Sequence, residues 1–403
     1  MSPPRTGTAA ARPGRVRKTS AQRREEILLR SARLFQERGY TGVSIDDLGA
    51  DLGISGPALY RHFSGKEAIL AQIGLDFLDG LRTTTDQAMT ESGPPEQDRL
   101  THAVVEYALD RTAELTVCIR HLWHLGPDRL AQIEERFVAL RDAWVPVIVA
   151  AYPHIDPQDA GLYVRAGSGL LIGADRAKVP VTRPRLIELV CKMVTGMLSA
   201  RMRSTPPSTD NPTSRGTWER ASRRELILQT AISLFRERGF RGVSMAEIAE
   251  AVGITAAAPY RHFKNKEDIL ETAILRSGDR IVSAMGDALA DASSAEEALD
   301  KLLRSYTSLA VAIDDLIAVR TTEAHYLGPE ALLQRRKTMK LFTEEWTHCL
   351  SSCRPDLSAP ESNVLVVALV GLVSESVRSR SLGRRPHLDD DLYQLGHAVL
   401  HYR

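Results

Sequence analysis

Ile27, Leu28, Leu34 and Phe35, with Ser31 among them, fall on one face at helical spacing, and Gly39 stands where that helix needs a C-terminal cap. The next stretch, VSIDDLGADLG, predicts a short helix. Ser44 caps it, Asp47 occupies the third helical position, and Val43 and Leu48 are spaced for a hydrophobic staple. Gly53 ends it in a tight turn, and a third helix is expected to open at Ser55 and stop near Phe63. No alternating apolar and polar run is long enough for a sheet, so the pattern predicts an all-α chain. Far downstream, Val364 to Val373 is apolar on every side and suits a helix buried all round. That run is about half of the ~20 residues a membrane span requires.

The pattern occurs twice. With residue n set against n+200, about half of positions 23–70 are identical, and LFQERGYTGVS returns as LFRERGFRGVS. Ser244, Glu247, Val243, Ile248 and Gly253 repeat the capped helix and its turn, and Thr255 opens the third helix, which is expected to end near Phe263. A period this long, seen twice, is a domain duplication. Weaker matches run on: Arg120 pairs with Arg320, and with a two-residue shift Trp144 pairs with Trp346. The expected organisation is a disordered basic arm (1–22), a first headpiece (23–70), a first body (71–202), a low-complexity linker (203–217), a second headpiece (218–270) and a second body (271–403).

Charge follows the same division. The total is +1, but residues 1–70 carry 12 basic and 7 acidic side chains (net +5) and residues 211–270 carry 10 and 7 (net +3). Residues 71–210 hold 15 and 18 (net −3), and residues 271–403 hold 15 and 19 (net −4). The basic blocks are the ones with the repeated motif. Four cysteines are too few for a disulfide framework in 403 residues, and no apolar N-terminal run has signal-peptide character. The expectation is a cytoplasmic, reducing setting without membrane contact.

Two short helices joined by a glycine turn, the second opening on Ser or Thr, fit a helix-turn-helix that lays its second helix in the DNA major groove. Small residues at its start let the backbone approach the bases: Ser55, Gly56, Pro57 and Ala58 in the first unit, Thr255, Ala256, Ala257 and Ala258 in the second. GVSIDDLGADLGISGPALYRHFSGKEAIL and GVSMAEIAEAVGITAAAPYRHFKNKEDIL each resemble the DNA-binding region of TetR-family repressors. The doubled layout resembles single-chain tandem TetR-like repressors of mycobacteria and their relatives, several of which control lipid or steroid metabolism. The resemblance implies two TetR-like units, each a helix-turn-helix headpiece with a helical ligand and dimerisation body, packed as an intramolecular pseudo-dimer on a double-stranded operator. Further homo-oligomerisation stays open. It also implies phosphate contacts from Tyr60, His62 and Lys66 and from Tyr260, His262 and Lys266. The two histidines are equally well read as structural. Ser44 and Ser244 are caps that can also touch phosphate, and Arg61 and Arg261 can reach the backbone or a base edge.

Leu59 is replaced by Pro259 in the second unit, and Gly56–Pro57 by Ala256–Ala257, so the two third helices, both expected to form, cannot read identical sequence. Neither offers Arg, Asn or Gln in its first turn for bidentate base contacts. For the bodies, the family's dimer helices are expected at 157–175 with 185–199 and at 359–378 with 389–400, with Gly161, Ala166, Gly167, Gly169 and Gly173 allowing close approach. Such a pseudo-dimer sets its recognition helices about 34–36 Å apart, one turn of DNA.

Candidate effector residues are Tyr107, Arg120, Trp123, His124 and Trp144 in the first body and Tyr306, Arg320, His325, Tyr326 and Trp346 in the second. Arginine beside aromatics suits a small apolar or lipid-like effector with an anionic group, such as an acyl-thioester. No phosphate-binding loop, dinucleotide fingerprint, nucleophile elbow or zinc-protease motif occurs, so neither catalysis, cofactor nor metal is expected. The expectation is a ligand-relieved repressor on two unlike half-sites. The competing reading is a DNA-binding protein that acts architecturally or through protein partners.

Overall fold

The computed structural model describes residues 19–90, 92–93, 95–202 and 222–402, apart from the Arg384 side chain. The expected linker (203–217) and residues 1–18 of the expected arm lie outside them. Among the described residues the chain is helical without a strand. The first unit runs α1 (Ser20–Arg38), α2 (Ile45–Leu52), α3 (Gly56–Leu59), α4 (Lys66–Thr90), α5 (Glu96–Asp110), α6 (Thr112–Arg120), α7 (Pro127–Ala151), α8 (Ala160–Arg176) and α9 (Arg183–Ser199). The second runs α10 (Arg223–Arg238), α11 (Met245–Val252), α12 (Lys266–Ala290), α13 (Ala295–Ala312), α14 (Asp314–Thr322), α15 (Pro329–Cys353), α16 (Ala359–Arg378) and α17 (Leu388–His401). Helix α1 begins three residues before the expected start of the headpiece. A capping box explains this: Thr19 Oγ1 accepts from Gln22 N–H (3.2 Å) and Gln22 Oε1 accepts from Thr19 N–H (3.0 Å).

The caps foreseen from the sequence form in both units. Ser44 Oγ accepts from Asp47 N–H and Ser244 Oγ from Glu247 N–H, with both staples buried. Gly53 and Gly253 adopt φ of 65° and 75°, the left-handed conformation a side chain resists.

The two bodies meet through α8 with α16 and α9 with α17, a four-helix arrangement made by one chain. Glycine permits its tightest crossing. A Cβ on Gly169 would lie 2.5 Å from the Gly371 carbonyl oxygen, and one on Gly173 2.5 Å from that of Val367. Gly161 and Gly167 do not share that role, since a Cβ on the first meets open space and one on the second makes ordinary contact with Met197. Ion pairs Arg185–Glu361 and Arg385–Asp159 flank the seam. Helix α16 is the one described helix long and apolar enough to cross a bilayer by length and composition, and most of it is buried.

Candidate nucleic-acid interface and effector cavity

Each headpiece is braced from within. Lys66 Nζ donates to the carbonyls of Tyr40 (2.9 Å) and Val43 (2.8 Å) and sits 4.2 Å from the centre of the Tyr40 ring. Lys266 repeats this with Phe240 and Val243, both at 2.7 Å, over the Phe240 ring. The lysine thereby ties the loop between the first two helices to the start of the fourth. Burial lowers the pKa of both lysines. An ammonium has three protons, so one remains for a phosphate. Arg24 is a second brace, which motif reading missed. It donates to the His62 carbonyl (2.8 Å) and covers the Phe63 ring, as Arg224 covers Phe263. The recurrence of this arginine in both repeats was its signal.

Around these braces the candidate contact residues face solvent. Tyr60 and Tyr260 are 58% and 57% exposed, a conspicuous value for large aromatic rings. Ser44, Ser55, Pro57, Arg61, Ser244, Thr255, Ala256, Ala257, Arg261 and His262 are exposed as well. Ala58, His62, Lys66, Ala258 and Lys266 are half-buried, and Gly56 is buried. Both cap serines spend their hydroxyls locally, donating to Asp47 and Glu247.

The recognition elements differ from expectation. Helix α3 ends at Leu59 rather than near Phe63, and the second unit has no α-helix there, only turns and a 3-10 segment over Pro259–Arg261. Two causes combine. Proline supplies no amide at 259, whereas Leu59 has one. Gly49 lets α3 press against α2, since a Cβ there would sit 2.8 Å from the Ile54 carbonyl oxygen, and the second unit has Ala249 and Ala256 in place of Gly49 and Gly56. Leu59 and Pro259 are both buried, so the two versions share one anchor. The turn closes on the same later bonds, with the Phe63 amide donating to the Leu59 carbonyl and the Phe263 amide to that of Pro259, both at 3.0 Å.

The family model "Bacterial regulatory proteins, tetR family" matches residues 27–73 and again 227–273. This chain is a TetR-family regulator. Two TetR units stand in tandem in it, and it is a DNA-binding transcriptional regulator. It is 25% identical over 149 residues to the HTH-type transcriptional repressor KstR2 of Rhodococcus jostii (strain RHA1), covering 37% of this chain and 71% of that protein. It is 40% identical over 73 residues to the HTH-type transcriptional activator FasR of Mycolicibacterium smegmatis, covering 16% of this chain and 33% of that one. Among solved structures, the TetR regulator PfmR of Thermus thermophilus aligns at 25% identity and a TM-score of 0.37, over 44% of this chain and 99% of its own.

Within the first TetR body a cavity of about 220 Å³ opens between α4, α5, α6, α7, α8 and α9. Phe77, Leu81, Val104, Cys118, Phe137 and Trp144 line it, and its walls are almost wholly apolar. Arg141 stands at its edge already paired with Asp142. Of the five residues expected there, Trp144 alone lines it, held by its Nε1–H donating to Thr85 Oγ1 (2.9 Å). Arg120 instead pairs with Glu375 across the seam, because α6 ends facing α16. Trp123 is half exposed and His124 stacks on it, 4.9 Å from the Tyr40 ring of the headpiece. Tyr107 donates to the Phe77 carbonyl from behind the wall (3.1 Å).

The second body differs. Helices α6 and α14, like α7 and α15, are offset by 202 residues rather than 200. Arg320 therefore stands where Cys118 stands, not where Arg120 does. Tyr306 and Phe342 likewise take the places of Val104 and Leu140. Tyr306, Phe342 and Trp346 are buried and pack ring on ring at 5.2–6.1 Å. His325 lines a cleft at the junction of the two halves together with Arg120, Trp123 and His124, and both His325 and Tyr326 lie against Gly39 and Gly42 of the first headpiece. Burial and neighbouring cations hold His124 and His325 down to about 4.

Proposed function

We propose that this TetR-family chain is a repressor whose two headpieces read two unlike half-sites of one operator, and that a neutral apolar small molecule in the first body releases it. The observation that carries the half-site reading is the contrast at the recognition elements. The braces are the same in both units, while Gly56–Pro57–Ala58–Leu59 forms a helix and Ala256–Ala257–Ala258–Pro259 does not. On this reading Tyr60, Tyr260 and the free proton of each lysine grip phosphate. Ser44, His62, Arg61 and their counterparts flank that grip, and the small lead-in residues approach the bases. With no bidentate donor in either lead-in, discrimination rests on thymine methyls and DNA shape.

The apolar cavity favours effector control over a purely architectural role. Its volume exceeds the ~150 Å³ engineered void that holds a benzene. Its walls offer no unpaired cation, so the anionic group expected for the ligand has no partner there. The route to the near headpiece is short: Cys118 and Ile119 wall the cavity, α6 runs on to His124, and His124 packs on Tyr40, which Lys66 grips. The route to the far headpiece crosses the seam. The Ile119 carbonyl accepts from Arg165 (2.9 Å) and Arg378 (2.6 Å), Arg120 and Arg378 share Glu375, and Arg236 of α10 donates to the Arg378 carbonyl (3.4 Å). A ligand that moves α6 thus biases both headpieces. The FadR of Bacillus halodurans is described as a fatty acid degradation regulator and the KstR2 of Mycobacterium tuberculosis as a ketosteroid one. For this chain the same chemistry is an effector with a hydrocarbon body, and the regulated genes belong to lipid or steroid metabolism.

The test uses DNA selected from a random pool and the neutral dye N-phenyl-1-naphthylamine. Dye fluorescence should rise on binding and DNA affinity should fall at least about tenfold, about 1.4 kcal/mol. Dye binding with unchanged DNA affinity would favour the architectural reading.

A further inference from the structure

At four aligned places the second body has replaced buried apolar side chains with polar ones. With the 202-residue offset, Arg320 stands for Cys118, Arg335 for Ile133, Tyr306 for Val104 and Ser374 for Ile172. All four apolar originals are buried or line the cavity. The replacements converge. Tyr306 and Ser374 hydroxyls are 3.3 Å apart, and Arg320 acts electrostatically on Tyr306 and is itself acted on by Arg335.

The two guanidiniums lack counter-charges. Arg320 is 7% exposed and makes no ion pair among the described residues. One of its N–H groups meets the Met339 sulfur, a weak acceptor, and its Nε has no partner. Arg335 is partly buried, its Nε is buried without a partner, and it too makes no ion pair among the described residues. Buried charges are ordinarily paired, because leaving water without a partner is costly. A core that had merely filled its cavity would need none of this. Packing favours Leu, Met or Phe there, and two adjacent unpaired cations are the arrangement it selects against.

We infer that the second body binds an oxyanion, the carboxylate or phosphate group of a small molecule, between Arg320 and Arg335, with Tyr306 and Ser374 as its neutral polar wall. Planar guanidiniums match both anions through paired N–H groups. Met339, unbranched and flexible, is the side chain that yields space for the anion's oxygens. The chain then carries two unlike effector sites, an apolar one in the first body and an anionic one in the second. This site stands apart from the apolar cavity, so its failure leaves that reading intact.

The experiment is thermal melting and titration calorimetry of the full chain in chloride buffer, with added phosphate in one arm and acetate in the other. The wild type should show a saturable rise of several degrees and one phosphate or acetate per chain. Arg320→Met should lose both while melting no lower than wild type in chloride alone, since it removes an unpaired buried charge. Arg335→Met, at a less buried position, should weaken anion binding at least tenfold and serves if Arg320→Met does not fold. Equal anion response in wild type and in both variants, or no saturable response in the wild type, would overturn the site. A response to phosphate without acetate assigns the site to phosphate chemistry, and the reverse to carboxylates.

Discussion

The two halves of this TetR chain agree where they hold themselves together and differ where they meet anything else. Both keep the serine cap, the glycine turn, the lysine brace on two carbonyls and the arginine over phenylalanine. They part at the recognition element, helix against 3-10 turn, and inside the body, apolar cavity against adjacent arginines. A homodimer cannot diverge in this way, because each change would appear in both subunits. Covalent linkage lets one seam be kept while two DNA-reading surfaces and two interiors drift apart.

The largest expected effect is on what the halves share. Gly371→Leu forces a side chain into the backbone of α8 and should cost about 3 kcal/mol, seen as a lowered melting temperature and a looser particle by small-angle scattering. A melting temperature within a degree of wild type would show that the seam is not where the halves are joined. Next comes the contrast between bodies. Copying the second interior into the first with Val104→Tyr and Leu140→Phe should weaken N-phenyl-1-naphthylamine binding by tenfold or more, while the melting temperature stays close to wild type. Unchanged dye affinity would place the dye elsewhere.

The junction histidines come third. His124 and His325 are held at about 4 against an ordinary 6.5, so the unfolded chain binds more protons between those values. Their contribution is fully present above pH 6.5 and is lost as the pH falls toward 4. His124→Gln with His325→Gln should flatten that acid limb by on the order of 1 kcal/mol per residue in a urea titration at pH 7 and pH 5. An unaltered limb would assign the acid sensitivity to other groups. The smallest effect is Pro259→Leu, which restores an amide and should raise helix content slightly while shifting the second half-site's preferred bases toward the first's in a binding selection. An unchanged preference would mean that Ala249 and Ala256, not proline, set the second surface.

Local features were legible in the sequence. Capping boxes, the αL glycines and the seam helices depend on residues a few positions apart, and all appear where spacing puts them. The recognition elements were less so, because their length depends on Gly49 and Ala249, contacts from another helix. The effector residues were read poorly for a definite reason. Helix α13 starts one residue earlier in its repeat than α5 and is three residues longer, which moves the register from 200 to 202, so Arg120 and Arg320 match in sequence but not in space. Arg120 went to the seam and Arg320 to the interior. The junction of His325 with Gly39 and Gly42 was out of reach, since it joins residues nearly three hundred positions apart.

The central claim is that each headpiece reads its own half of the operator. Hydroxyl-radical footprinting of a selected operator with wild type, Tyr60→Ala and Tyr260→Ala tests it most directly, since both phenols are exposed and neither braces the fold. The account predicts that each variant loses protection over a different half while the other half stays covered at high protein, with affinity down by roughly 1–2 kcal/mol in each case. Equal loss over both halves in either variant, or identical base sequences in the two halves, would contradict it.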